Sequence, residues 1–215
     1  MRSWWALMLA TVCCVCGATQ PSADPASDAP ETLRLPIAAF RDAPSYAQAL
    51  RAWQSPEDVN AWIGARFEYD LSRALQLSET QRKRSGNVAI QEPQAFFAAP
   101  SGVCVDLSRF AVETLRQVDP EAAARYLMIE FAPLQLNGQT LRLHWLATFQ
   151  RGGQFYFFAD SKRPGVIAGP YASTRHFIDD YAAYRSRQIV AFRELESYQR
   201  QPRALAAKTL RAESP

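Results

Sequence analysis

Val59, Trp62, Ile63 and Phe67 recur at three- and four-residue intervals, a spacing that predicts an amphipathic helix. Ser55-Pro56-Glu57-Asp58 supplies its start: a hydroxyl to cap, a proline at the first helical position, and an acid where a capping box places one. A second helix is predicted over about 72–84 and is broken by Ser85-Gly86-Asn87. A short apolar segment from Gln94 to Ala99 stops at Pro100. The strongest helical pattern comes next, opened by Ser101-Gly102-Val103 and closed by Asp119-Pro120. Leu107, Phe110, Ala111, Thr114, Leu115 and Val118 share one of its faces.

Beyond Pro120 the texture changes from helix to strand. Arg125 to Pro133, Thr140 to Gln150 and Gln154 to Asp160 are rich in aromatic and branched residues. Asn137-Gly138 and Gly152-Gly153 separate them, so they predict an antiparallel sheet whose last two strands form a hairpin. From about Ser173 to Phe192 the pattern is helical again, and the chain has no internal repeats. Helices followed by an antiparallel meander make an α+β fold.

The ends of the chain differ from this body. Arg2 precedes an apolar or small run from Trp4 to Val15, and Cys16-Gly17-Ala18 offers the small residues a signal peptidase needs. Residues 1–18 therefore read as a secretory signal peptide cut after Ala18. Neither that run nor any later segment is long enough for a permanent membrane span, so the expected location is periplasmic or secreted. Lipid attachment through Cys13, Cys14 or Cys16 is the alternative, but none has the Leu-x-small-Cys context. Residues 19–36 hold mostly Pro, Ala, Ser and Asp and predict a disordered leader. A single domain is expected over 37–195, with a polar, basic tail over 196–215. The net charge of +3, without a dense basic run, gives no argument for nucleic acid.

Signal removal would reduce four cysteines to one, Cys104. In an oxidising compartment thiols pair, so a solitary one is either a small buried hydrophobe or a reactive group. Its place in the first turn of the strongest helix bears on the choice. Unpaired N–H groups and the helix dipole there favour a thiolate and suit the oxyanion of a tetrahedral intermediate. A thiolate nucleophile needs an acid/base partner, and beyond Cys104 lie two histidines, His144 and His176. His144 lies mid-strand, whereas His176 follows Ser173-Thr174-Arg175 at a helix start and reads as a surface residue. Asp160 ends the next strand and is the candidate orienting carboxylate. Taken singly, His144 reads as a core histidine and Asp160 as a turn residue. Register bears on the pair, because directly opposed residues in a hairpin share a face. A two-residue loop, Gly152-Gly153, sets His144 opposite Ser161 and sends Asp160 to the other face. A three-residue loop, Arg151-Gly152-Gly153, sets Asp160 opposite His144. A His144–Asp160 pair thus predicts the odd loop.

Gly102-Val103-Cys104-Val105-Asp106-Leu107 resembles the cysteine motif of the transglutaminase-like superfamily. His144-Trp145 resembles its histidine block, and Phe158-Ala159-Asp160 its aspartate block, in the same order. The resemblance covers roughly residues 57–160 and implies a papain-like core, with Cys104 as nucleophile, His144 as acid/base and Asp160 as orienting residue. Two features depart from the family: the stretch between the cysteine helix and the histidine strand, and the continuation Ser161-Lys162-Arg163-Pro164-Gly165. Gln91 and Gln94 are candidates for a second oxyanion donor.

The expectation is an exported cysteine-dependent hydrolase or acyltransferase acting on amide bonds of a peptide or protein substrate. No cofactor or metal is expected, since one cysteine and two separated histidines do not form a ligand cluster. The rival readings are a non-catalytic peptide-binding module of the same architecture and an envelope structural protein with an inert thiol.

Overall fold

The computed structural model describes residues 42–80 and 88–199. The predicted signal peptide and leader, nearly all of the predicted tail, and the break at Ser85-Gly86-Asn87 lie outside the described residues.

Among the described residues α1 (Tyr46–Ala52), α2 (Pro56–Arg66), α3 (Leu71–Leu77) and α4 (Pro93–Ala98) precede the strand-rich half. The start of α2 follows its sequence. Ser55 Oγ accepts the Asp58 N–H and Pro56 takes the first helical position. Helix α4 occupies the short apolar segment after Glu92, and α1 had no predicted counterpart. Two short parallel strands, β1 (Glu68–Tyr69) and β2 (Ser101–Gly102), tie the end of α2 to the loop before the next helix. That helix, α5 (Cys104–Val118), starts at Cys104 and buries the face anticipated for it, with Leu107, Phe110, Ala111, Thr114 and Leu115 all inaccessible.

A 3-10 turn (Pro120–Ala122) leads to β3 (Arg125–Leu136), β4 (Gln139–Arg151), β5 (Gln154–Phe158) and β6 (Ala168–Tyr171). Helix α6 (Thr174–Arg185) and β7 (Ile189–Leu195) complete the fold. The five strands form one antiparallel sheet in the order β6-β5-β4-β3-β7. The architecture is α+β, as the sequence implied. The C-terminal segment differs from its predicted helix. Ser186 takes a left-handed conformation (φ 48°) that ends α6, and the chain returns as edge strand β7 against β3.

Alternation along the strands builds two cores. Trp145, Ala147 and Phe149 of β4 face α5, where Trp62 stacks on Phe97 (centroids 4.9 Å) and meets Phe110 at a tilt (4.7 Å). Leu127, Ile129, Phe131 and Leu146 face α6, and Phe157 stacks on Phe177 at 3.8 Å. Each Phe buried this way contributes about 1.5–3 kcal/mol.

Candidate active site

Cys104 is the first residue of α5 and is 6% exposed. The loop ahead of it is held by Asp106, which is fully buried. Asp106 Oδ2 accepts the Val103 N–H (3.1 Å) in the manner of a capping-box acid, and Oδ1 accepts the Gln91 N–H (2.9 Å). Arg73 of α3 clamps both oxygens, through Nε at 2.7 Å and Nη2 at 2.8 Å. A fork-to-fork pair of this kind fixes direction as well as charge, so α3 and the start of α5 are held together. Gly102 suits this crowding: a Cβ there would lie 3.0 Å from Phe96 Cε2 and 3.1 Å from Asp106 Oδ2.

His144 and Asp160 are brought together. His144 Nε2 lies 3.1 Å from Asp160 Oδ1, and both residues are buried. The carboxylate is held well below its ordinary pKa. Burial opposes its ionisation, but the hydrogen bond and charge of His144, with the charges of Arg185 and Arg163, overcome that opposition. An ionised carboxylate only accepts, so Nε2 carries the proton and Nδ1 is the basic nitrogen of the neutral ring.

The pair forms by a route that the loop argument did not foresee. Arg151 pairs with Gln154 and Ala147 with Phe158, so Gly152-Gly153 is the two-residue loop, with φ of 57° and 74°. This register is the one expected to carry Asp160 away from His144. Regular alternation ends at Phe158, however. Ala159 adopts a left-handed φ of 57°, which breaks the alternation and turns the Asp160 carboxylate back to the α6 side. The expectation that the pair requires an odd loop is thereby corrected.

Two residues of α6 complete the arrangement. The Tyr181 hydroxyl donates to Asp160 Oδ2 at 3.0 Å and accepts from Arg185 Nη1 at 2.9 Å. Its ring stacks on the imidazole, with centroids 6.0 Å apart and planes 14° from parallel. Burial pushes the phenol's pKa up, and the Asp160 charge pushes it further, so it stays a donor. The Lys162 N–H and Arg163 Nε also donate to the carboxylate (2.9 and 3.4 Å). The sequence reading missed Tyr181 and Arg185. Two residues four apart that share a buried helix face were the available signal.

Cys104 stands on the α5 side of the sheet and the imidazole on the α6 side. Cys104 lines a cleft with Leu143 and Trp145, the residues that flank His144 along β4. The β4–β5 pairing runs only from Ala147 to Arg151, so among the described residues no strand covers the β4 edge at His144. Of the other candidates, His176 is exposed at the start of α6, with its N–H on Ser173 Oγ. Gln91 Nε2 is bound to the Ser101 carbonyl and Gln94 is exposed, so neither points to an oxyanion donor. Among the described residues no group of three or more His, Cys, Asp or Glu is placed to hold a metal ion, and no helix is long and apolar enough to cross a membrane.

No protein-family profile matches the chain, and no curated protein sequence matches it. Among solved structures it is similar to calcium-bound LapG of Legionella pneumophila, at 16% identity and a TM-score of 0.38, over 77% of this chain and 86% of that one.

Proposed function

We propose that this chain is an exported cysteine-dependent amide hydrolase of transglutaminase-like architecture. Its nucleophile is Cys104, its acid/base His144 and its orienting carboxylate Asp160. The single observation that carries the reading is the buried His144 Nε2–Asp160 Oδ1 bond at 3.1 Å, which sets the tautomer a general base needs. A buried histidine satisfied for packing alone requires no ionised carboxylate held by four donors.

In this reading the Cys104 sulfur and His144 Nδ1 come within proton-transfer reach at the stretch of β4 that β5 leaves unpaired. The Cys104 thiol gives its proton to His144 Nδ1, and the thiolate attacks the carbonyl carbon of a peptide amide. Charge on the carbonyl oxygen is stabilised by the N–H groups in the first turn of α5. Collapse of the intermediate breaks the C–N bond as His144 Nδ1 returns the proton to the departing amine. Water, deprotonated by the same nitrogen, attacks the thioester and releases the acid and the Cys104 thiol. Hydrolysis is favoured over transfer to a second amine because water needs no dedicated acceptor site. Export rests on the signal-like residues 1–18.

The reading is tested by incubating the protein with a proteome-derived peptide mixture, quenching in acid and measuring intact mass. Expected are new peptide termini and an acyl adduct on Cys104, both absent in Cys104→Ala. Neither appearing across a broad mixture would favour the non-catalytic peptide-binding module.

A further inference from the structure

The cleft beside Cys104 has a volume of about 190 Å³. That is smaller than the roughly 300–1,000 Å³ of pockets that enclose whole small molecules, and near the roughly 150 Å³ in which an apolar protein cavity holds benzene. It has room for one side chain. Its walls are Leu71, Leu75 and Leu77 of α3, with Leu136, Leu141 and Trp145 from the sheet. Among the described residues the charged ones that line it, Glu79 and Arg142, bind each other, and Arg142 also binds Glu130 at 3.0 Å. A charged side chain entering the cleft would therefore meet charges already neutralised and would lose its own hydration. Leu71 is 53% exposed, so the cleft opens to solvent at the α3 wall.

Resting on the proposed role of Cys104, we infer that this cleft is the specificity subsite for an aliphatic or aromatic side chain adjoining the scissile carbonyl. Cys104, Val103 and Val105 form one wall, so a carbonyl presented to the sulfur carries its neighbouring side chain between α3 and β4. The Arg73–Asp106 pair makes the subsite part of the same rigid unit as the nucleophile, because Arg73 belongs to the helix that walls the cleft. Substrates are then peptides with Leu, Ile, Met or Phe at that position. Asp, Glu, Lys and Arg are rejected there.

The test compares alkylation of Cys104 by iodoacetamide and by N-isobutyl iodoacetamide, each rate divided by that of the same reagent with glutathione. Occupancy of the cleft by the isobutyl group should raise the normalised rate about 10- to 100-fold over iodoacetamide. In Ala74→Phe, which fills the cleft, and in Leu75→Gln, which makes it polar, the preference should fall toward unity. Near-UV circular dichroism identifies a variant that has lost its fold, and the other then carries the comparison. Fast labelling without alkyl preference in the unaltered protein overturns the subsite and leaves the nucleophile standing. Alkyl preference at a thiol no faster than glutathione keeps the cleft and overturns the nucleophile.

Discussion

Asp160→Asn separates a carboxylate that organises its surroundings from a polar residue that happens to be buried. Among the described residues every hydrogen-bond partner of the Asp160 carboxylate is a donor. His144 Nε2 and the Lys162 N–H meet Oδ1, while the Tyr181 hydroxyl and Arg163 Nε meet Oδ2. Tyr181 has no freedom to reverse, since its oxygen already accepts from Arg185. Asparagine supplies one accepting oxygen and one donating amide, so its NH2 group faces either the Tyr181 and Arg163 donors, or the Lys162 N–H and an imidazole forced into its other tautomer. Each buried donor left without an acceptor costs about 1–3 kcal/mol, so stranding one or two gives a total of about 1–6 kcal/mol out of the roughly 5–15 kcal/mol that holds a domain together. Urea unfolding followed by tryptophan fluorescence at pH 7 reads this directly, since Trp53, Trp62 and Trp145 are buried. The pH dependence has a definite sign. The Asp160 pKa is depressed in the folded state, so its contribution is complete above the unfolded value of about 3.9 and is lost as pH falls below it. The difference between the two proteins should stay constant from about pH 7 to 5 and close below about pH 4. A variant within about 0.5 kcal/mol of the unaltered protein at pH 7 would refute the donor-only reading of this site.

Three further substitutions probe the supports of the site. Tyr181→Phe removes one donor from Asp160 and strands the Arg185 contact, and should cost about 1–2 kcal/mol in the same urea assay. Arg73→Ala leaves the fully buried Asp106 without its bidentate partner and should cost about 3–5 kcal/mol, with Arg73→Lys recovering only part because it cannot reproduce the fork. Gly102→Ala forces a methyl group into Phe96 and Asp106 and should lower stability by about 1–3 kcal/mol, measured as a shift in the urea midpoint without a change in slope.

Local signals in the chain carried much of the fold. Ser55-Pro56 started α2, the apolar face of 107–118 identified α5, and Asn137-Gly138 and Gly152-Gly153 marked the two hairpins around β4. Both dipeptides take positive φ at each residue, the conformation that two-residue hairpin loops prefer and that glycine makes accessible. What escaped was written in longer-range or less local terms. Strand β7 has a mixed pattern that a helix also fits, and only its pairing with β3 decides between them. The β1 and β2 strands are two residues each, too short to leave a period. Ala159 has a side chain that disfavours the left-handed region, so nothing in its identity announced the turn that brings Asp160 to His144. The pairing of His144 with Asp160 was legible from residue type and order. The geometry joining them was not, and the loop-parity argument pointed away from it.

The most direct test of the account is the pH–rate profile of Cys104 alkylation by iodoacetamide in the unaltered protein and in His144→Ala. The account predicts labelling that exceeds a free thiol's below pH 7, where a thiol with the ordinary pKa of about 8.5 is almost wholly protonated, and that falls to the free-thiol profile when the imidazole is removed. A profile that tracks a free thiol in both proteins, or that is identical with and without His144, would contradict it.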